Sequence, residues 1–268
     1  MRVIHGLLLL HTAIRHPFIT EWDNLLFGDT VHIPDGYLGP YTYVALYLVM
    51  IPIWAHVGRK LSQELRSKQV PLLALSAAFS FVIMMFNLPV PGGSTGHAIG
   101  GAIIGIVLGP WAAVISISVA LILQALIFGD GGITAIGANC FNMAVVMPFS
   151  AYYLYRMFSG NSDIDSSRRL AAAAIAGYIS LVLAAAVTGF EFGIQPLLHY
   201  DAGGVPLYMP YGLNVTMTAM VLEHMVFGFV EALVTILIFA YIRRTDPSLL
   251  MDSKPKSEKR RENVAVLA

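Results

Sequence analysis

Apolar residues in this sequence gather in long runs separated by short polar or Gly/Pro-rich breaks, at about 39–57, 70–88, 98–108, 110–128, 132–155, 170–192 and 213–242. Most have the ~20 residues that cross hydrocarbon as a helix, so the pattern predicts an all-α membrane bundle of about seven spanning segments. Gly109-Pro110 separates the two central runs, because proline removes a backbone donor and ends a helix. The 98–108 run would reach only about 16 Å at 1.5 Å per residue. It is expected either to be shielded by neighbouring helices or to sit where the fold thins the membrane, and short elements of this kind usually line a cavity.

Basic residues give the orientation. Arg59, Lys60, Arg66 and Lys68 occupy one break, Arg156, Arg168 and Arg169 another, and Arg243, Arg244, Lys254, Lys256, Lys259, Arg260 and Arg261 the end of the chain. Cytoplasmic loops carry the excess of Lys and Arg, so these segments are expected inside. Threading the runs accordingly puts the N-terminus outside and the C-terminus inside. It also brings four segments to the outer face: the His32 region, the 89–97 loop, the Gly129-Asp130-Gly131-Gly132 turn and the 193–212 loop. The expected organisation is an N-terminal extension (1–30), a membrane domain (31–242) and a basic cytoplasmic tail (243–268) that is solvated rather than a site. The chain shows no internal repeat.

Composition agrees. The 268 residues are 57% hydrophobic and 12% charged, with a mean hydropathy of +0.70. An ordinary soluble domain carries about twice that charge fraction, so this composition needs lipid as solvent. Formal net charge is zero and the charges sit in a few short stretches, so nothing suggests a nucleic-acid footprint. Cys140 is the single cysteine, so the chain can form no internal disulfide and offers no cysteine cluster for zinc; it reads as a small packing residue. Within 1–30, the apolar stretch Val3–Ile14 is interrupted by His5 and His11, is too short to span, and has no clear small-residue cleavage site before Val31.

The chemistry concentrates in Val31-His32-Ile33-Pro34-Asp35-Gly36-Tyr37 and Pro89-Val90-Pro91-Gly92-Gly93-Ser94-Thr95-Gly96-His97. Each delivers one imidazole to the outer face, and the second follows a segment whose prolines and glycines suit a loop that turns tightly to aim a side chain. A lone histidine is more often structural than ligating, and the loop composition counts against that here. Were position 31 the first residue, its α-amine, the next amide nitrogen and the His32 imidazole would form fused chelate rings, with His97 closing a fourth corner. Four nitrogens in a plane suit Ni(II), Cu(II) or low-spin Co(II), and suit Mg, Ca or tetrahedral Zn poorly. The donors must be deprotonated, so capture is expected to weaken as pH falls through the histidine range.

With these motifs the sequence resembles the CbiM/NikM family, the substrate-binding membrane component of energy-coupling-factor cobalt and nickel transporters. The likeness runs from Val31 to about Tyr241. It includes His32-Ile-Pro-Asp-Gly36, Gly92–His97, Leu108-Gly-Pro-Trp-Ala112, Gln124-Ala-Leu-Ile-Phe-Gly-Asp-Gly-Gly132, Ile133-Thr-Ala-Ile-Gly-Ala-Asn139 and Phe141-Asn-Met143. The resemblance implies a seven-helix bundle with metal ligands Val31, His32 and His97. It also implies Co(II) or Ni(II) as transported substrate, no prosthetic group, and a place in the plasma membrane. Partners implied are energy-coupling ATPase subunits, a transmembrane coupling subunit and a small accessory membrane subunit. In the family the chain begins Met-His-Ile-Pro-Asp-Gly, whereas here Val31 is preceded by thirty residues. Either translation begins at a valine-type codon at position 31, or the leader is removed after Thr30.

Gln124, Asn139 and Asn142 are amides inside apolar runs, where an unpaired amide is costly; they are candidates to orient the imidazoles or to bond between helices. Asp130 and Thr134 border the outer turn, and Asp130 is a candidate to act on the site electrostatically. His224 and Glu231 lie two turns apart on one face of the last run and read as a buried pair, with a role at the metal as the alternative. Glu191 and His199 are expected at the interface. The sequence has no His-Glu-x-x-His run for an intramembrane zinc protease, and no Gly-x-x-x-x-Gly-Lys-Ser/Thr loop for ATP hydrolysis. Leaning slightly to nickel over cobalt for cobalamin synthesis, the resemblance implies a non-enzymatic subunit of an ATP-driven importer. A stand-alone channel or facilitator is the alternative, and a hydrolase built on His224 and Glu231 a third possibility.

Overall fold

The computed structural model describes residues 32–64, 70–90 and 94–251; Val31, the 1–30 extension, Arg66, Lys68 and the basic residues from Lys254 on lie outside the described residues. All seven apolar runs contain helix. They form α1 (Pro40–Glu64), α2 (Val70–Met84), α3 (Gly101–Leu108), α4 (Pro110–Leu123), α5 (Ile136–Asn139), α6 (Met147–Ser159), α7 (Ser167–Gly193), α8 (Gln195–Leu198), α9 (Leu213–Thr245) and α10 (Ser248–Met251). Among the described residues, four helical segments are long and apolar enough to cross a membrane: Pro40–Lys60, Pro110–Phe128, Ser167–Leu198 and Leu213–Thr245. The count of seven is not confirmed by length, since the other runs are shorter or interrupted among the described residues.

Those interruptions are specific. The 132–155 run opens with a turn, enters α5, passes through a π-helical stretch, Cys140–Val146, and continues as α6. A second π-helical stretch, Gln124–Phe128, ends α4, so π-helix brackets the turn that carries Asp130 on both sides. Such bulges widen a helix locally and recur at functional sites. The 89–97 segment, expected as a tightly turning loop in an all-α chain, lies in a two-stranded antiparallel hairpin that leads into His97. Its strands are β1 (Leu88–Val90) and β2 (Ser94–Gly96), with Pro89 opposite Thr95.

The short α3 is shielded rather than lipid-facing. Gly101 through Ile106 are all buried, and α3 packs against α4, α6, α7 and α9. The α7 face turned into the bundle is made of small residues, Ala172, Ala173, Ala176, Gly177, Ala184 and Ala185, which lets α9 lie close along it. Without a hydrophobic driving force between helices in lipid, close backbone approach and dispersion hold such pairs together. Cys140 is fully buried in the main core cluster, as a packing residue. Far along the bundle from the hairpin, Arg169 donates to Ser162 O at 2.8 Å, Arg243 donates to Asp165 O at 3.3 Å, and Lys60 lies over the Trp111 ring.

At the opposite end the four segments expected to converge do meet. Gly132 N donates to Ile33 O at 2.9 Å, Met209 N to Tyr37 O at 3.3 Å, and Gly39 N to Gln195 Oε1 at 3.0 Å. His199, expected at the interface, is buried; its Nε2 accepts from Tyr41 N at 3.3 Å and its ring stacks on Tyr41. Glu191 is also buried, at 4% exposure, and accepts from Asn142 of the π-helical stretch.

The placement of α3 depends on Gly105, where a Cβ would stand 2.8 Å from Pro148 O and 3.0 Å from its Cα. Backbone cannot step aside as a flexible side chain can, so Gly105→Val is expected to destabilise by about 1–3 kcal/mol. Thermal unfolding in detergent checks this, and an unchanged Tm would contradict the packing described.

Candidate metal centre

The segment before α1 has no regular structure of its own, so its buried main-chain groups need partners elsewhere. Asn139 supplies them. Ile33 N donates to Asn139 Oδ1 at 3.0 Å, and Asn139 Nδ2 donates back to Ile33 O at 3.1 Å. Two residues on, the Asp35 carboxylate accepts from Ile133 N at 3.1 Å, Thr134 N at 2.8 Å and the Thr134 hydroxyl at 2.5 Å. Although burial opposes ionisation, the Thr134 hydroxyl and amide, with the Ile133 amide, hold the Asp35 carboxyl below its ordinary value. The close approach requires glycine at 131, where φ is +90° and a Cβ would stand 3.0 Å from His32 Cβ.

This clamp presents His32, which is 3% exposed. Its Nδ1 lies 3.4 Å from Asp130 Oδ1, and Asp130 N is itself tied to Gln124 O at 3.1 Å. His97 arrives from the hairpin, 4% exposed, with its ring edge-on to His32 and the centroids 5.0 Å apart. The Nδ1 of His97 faces Ala98 O at 3.1 Å. A carbonyl only accepts, so Nδ1 carries the proton and Nε2 keeps its lone pair. The Nε2 atoms of both rings are buried without a hydrogen-bond partner. Burial, reinforced by His32, pushes the His97 imidazole down to about 3. His97 is therefore neutral throughout the ordinary histidine range, and the expected weakening of capture in that range does not extend to this residue.

Glu231 acts on the other side of His97. Its fully buried carboxylate accepts from Ile99 N at 2.8 Å, Gly100 N at 3.0 Å and Ala102 N at 3.4 Å. These are donors at the start of α3, which no intrahelical carbonyl can satisfy, and a carboxylate suits the positive end of a helix. Glu231 therefore fixes the main chain two residues beyond His97. It does not pair with His224, whose Nδ1 donates to Met220 O at 2.8 Å. Sequence reasoning found Glu231 but gave it the wrong partner, since nothing local marks the start of α3 as its target.

The amides divide. Asn139 holds the His32 segment, Asn142 Nδ2 donates to Thr188 Oγ1 at 3.0 Å and Glu191 Oε2 at 2.8 Å, and Gln124 Nε2 reaches Met85 Sδ at 3.8 Å. Among the described residues no hydrogen bond joins Gln124 or Asn142 to either imidazole. Val31 lies outside the described residues. No three His, Cys, Asp or Glu side chains among the described residues stand close enough to hold a metal alone. A metal at His32 and His97 would thus need further donors.

The family described as "Cobalt uptake substrate-specific transmembrane region" matches residues 32–249. The chain is 51% identical over 221 residues to a fused nickel transport protein of Rhodobacter capsulatus, a match that covers 82% of this chain and 64% of that protein. It is 47% identical to a putative metal transport protein of Methanocaldococcus jannaschii, covering 82% of this chain and 94% of that one. A crystal structure titled as a transition metal transporter superposes with a TM-score of 0.75 at 46% identity, over 83% of this chain and 98% of that chain.

Replacing Asn139 with leucine leaves the Ile33 amide buried and unpaired, at about 1–3 kcal/mol, and leaves the Ile33 carbonyl with the Gly132 amide as its remaining partner. Hydrogen exchange is expected to accelerate at residues 32–35 and little elsewhere; unchanged protection there would show that the clamp does not hold the segment.

Proposed function

Since the chain belongs to the family of cobalt-uptake substrate-specific transmembrane regions, we propose that it is the metal-binding membrane subunit of an importer for Co(II) or Ni(II). The observation that carries this reading is the pair of buried imidazoles with ring centroids 5.0 Å apart: His32 on the segment clamped immediately after position 31, with its Nδ1 toward Asp130, and His97 with an unpartnered Nε2. The proposed donors are the α-amine at Val31, the amide nitrogen and imidazole of His32, and the imidazole of His97. Main-chain nitrogens supply what the side chains alone lack. A chelate ring closed through the residue's own amide engages His32 Nδ1, the nitrogen beside Asp130, whose carboxylate offsets the added positive charge. Four nitrogens in a plane select Ni(II) or low-spin Co(II) over harder cations.

Asn139, Asp130 and Glu231 position this set without joining it. Such supporting groups fix ring orientation, and their loss typically costs about 10–100-fold in metal affinity. Gln124 supports the turn through its carbonyl to Asp130 N. The sequence has no phosphate-binding loop motif, so in this reading partner ATPases hydrolyse ATP. A transmembrane coupling subunit transmits the motion and a small accessory membrane subunit joins the assembly in the plasma membrane. The protein itself is no enzyme and takes the metal as cargo. The name of the Rhodobacter relative, a nickel transport protein, favours nickel.

Protein purified from cells given equal cobalt and nickel is expected to carry stoichiometric metal, nickel above cobalt. His32→Ala or His97→Ala should abolish it while the protein still elutes as folded. Metal analysis reads the result, and retention of metal by both variants would refute the site. Intact mass of the metal-bearing fraction should show a chain starting at position 31, or at Met in its place; full metal loading on chains that keep residues 1–30 would remove the amine from the donor set.

A further inference from the structure

A cavity of about 50 Å³ lies inside the bundle next to His97, lined among others by Asn142, Met143, Thr188, Met220 and His224. It is roomy enough for water or a partly hydrated ion, which needs polar partners to be held. Two of the side chains that line it keep an uncommitted lone pair. Thr188 Oγ1 donates to Ala184 O at 3.2 Å, so toward Asn142 it can only accept, which fixes the amide nitrogen of Asn142 on Thr188 and Glu191. That leaves Asn142 Oδ1 free; Asn142 is 2% exposed and this oxygen has no hydrogen-bond partner. The Nδ1 of His224 is committed as donor to Met220 O at 2.8 Å, so its Nε2 carries the other lone pair. Met143 and Met220 add thioethers, soft donors compatible with late first-row metals.

His97 borders both this cavity and the His32 cluster, so one imidazole lies between two sets of donors. Resting on the reading of the outer cluster as a metal site, we propose that the cavity is a second, weaker station, where Asn142 and His224 receive a Co(II) or Ni(II) ion passed inward from His32 and His97. One imidazole nitrogen, one amide oxygen and thioethers bind less firmly than four nitrogens, as a stop on a route requires. It also gives Glu191 a purpose: the carboxylate orients Asn142 so that the oxygen rather than the nitrogen faces the ion.

The test uses the full chain in nanodiscs with Co(II) alone as probe, in the wild type, His32→Ala, His224→Gln and His224→Cys. Wild type is expected to take up a tight equivalent and a weaker second one. His32→Ala should lose the tight equivalent and keep the weak one, and His224→Gln should do the reverse. In His224→Cys a thiolate-to-cobalt charge-transfer band should appear as the weak equivalent binds, a signature that a merely structural His224 would not produce. Two equivalents in His224→Gln, or a bound second ion with no such band in His224→Cys, would overturn the inner station and leave the outer site standing. Loss of neither equivalent in His32→Ala would instead count against the outer site.

Discussion

The pair of hydrogen bonds that Asn139 exchanges with the main chain of Ile33 is the constraint on which the histidine-bearing end of this bundle depends. A segment without helix or strand cannot lie buried at the head of an apolar bundle unless its amides and carbonyls are matched, because no water is available to match them. Asn139 matches both groups of one residue, Asp35 binds the 133–134 turn, and Gly132 returns a bond to Ile33. Once those are made, His32 has one place to be, beside Asp130 and edge-on to His97.

The second imidazole is held by a different device. His97 leaves a short hairpin and precedes an eight-residue helix that is buried nearly all round. The first turn of that helix is anchored by Glu231, from a helix long enough to span the membrane. The two halves of the site are thereby tied to different elements, His32 to the turn before α5 and His97 to α9. A shift of α9 relative to that turn would alter the spacing of the imidazoles directly, because three hydrogen bonds carry the displacement to the residues after His97.

Much of this was legible in the sequence where local pattern carries the information. Apolar runs gave the helices, Gly109-Pro110 gave the division between α3 and α4, and the glycines and prolines around His97 announced a shaped turn. The meeting of the four outer segments followed from the alternation of basic and neutral breaks. What was not legible depends on how helices are rotated against one another. Glu231 lies more than a hundred positions from the amides it caps, and buried Glu191 accepts from Asn142, which lies in a π-helical stretch. Apolar periodicity cannot distinguish a π-helical stretch from α-helix, nor place three-residue strands in an otherwise helical chain.

We propose that main-chain and imidazole nitrogens of the clamped segment, with the His97 imidazole, hold the ion in a plane. The magnetic susceptibility of the nickel-loaded protein tests it most directly. Four strong nitrogen donors in a plane make Ni(II) diamagnetic, and that is the predicted result. A paramagnetic, tetrahedral or six-coordinate nickel centre would contradict the account.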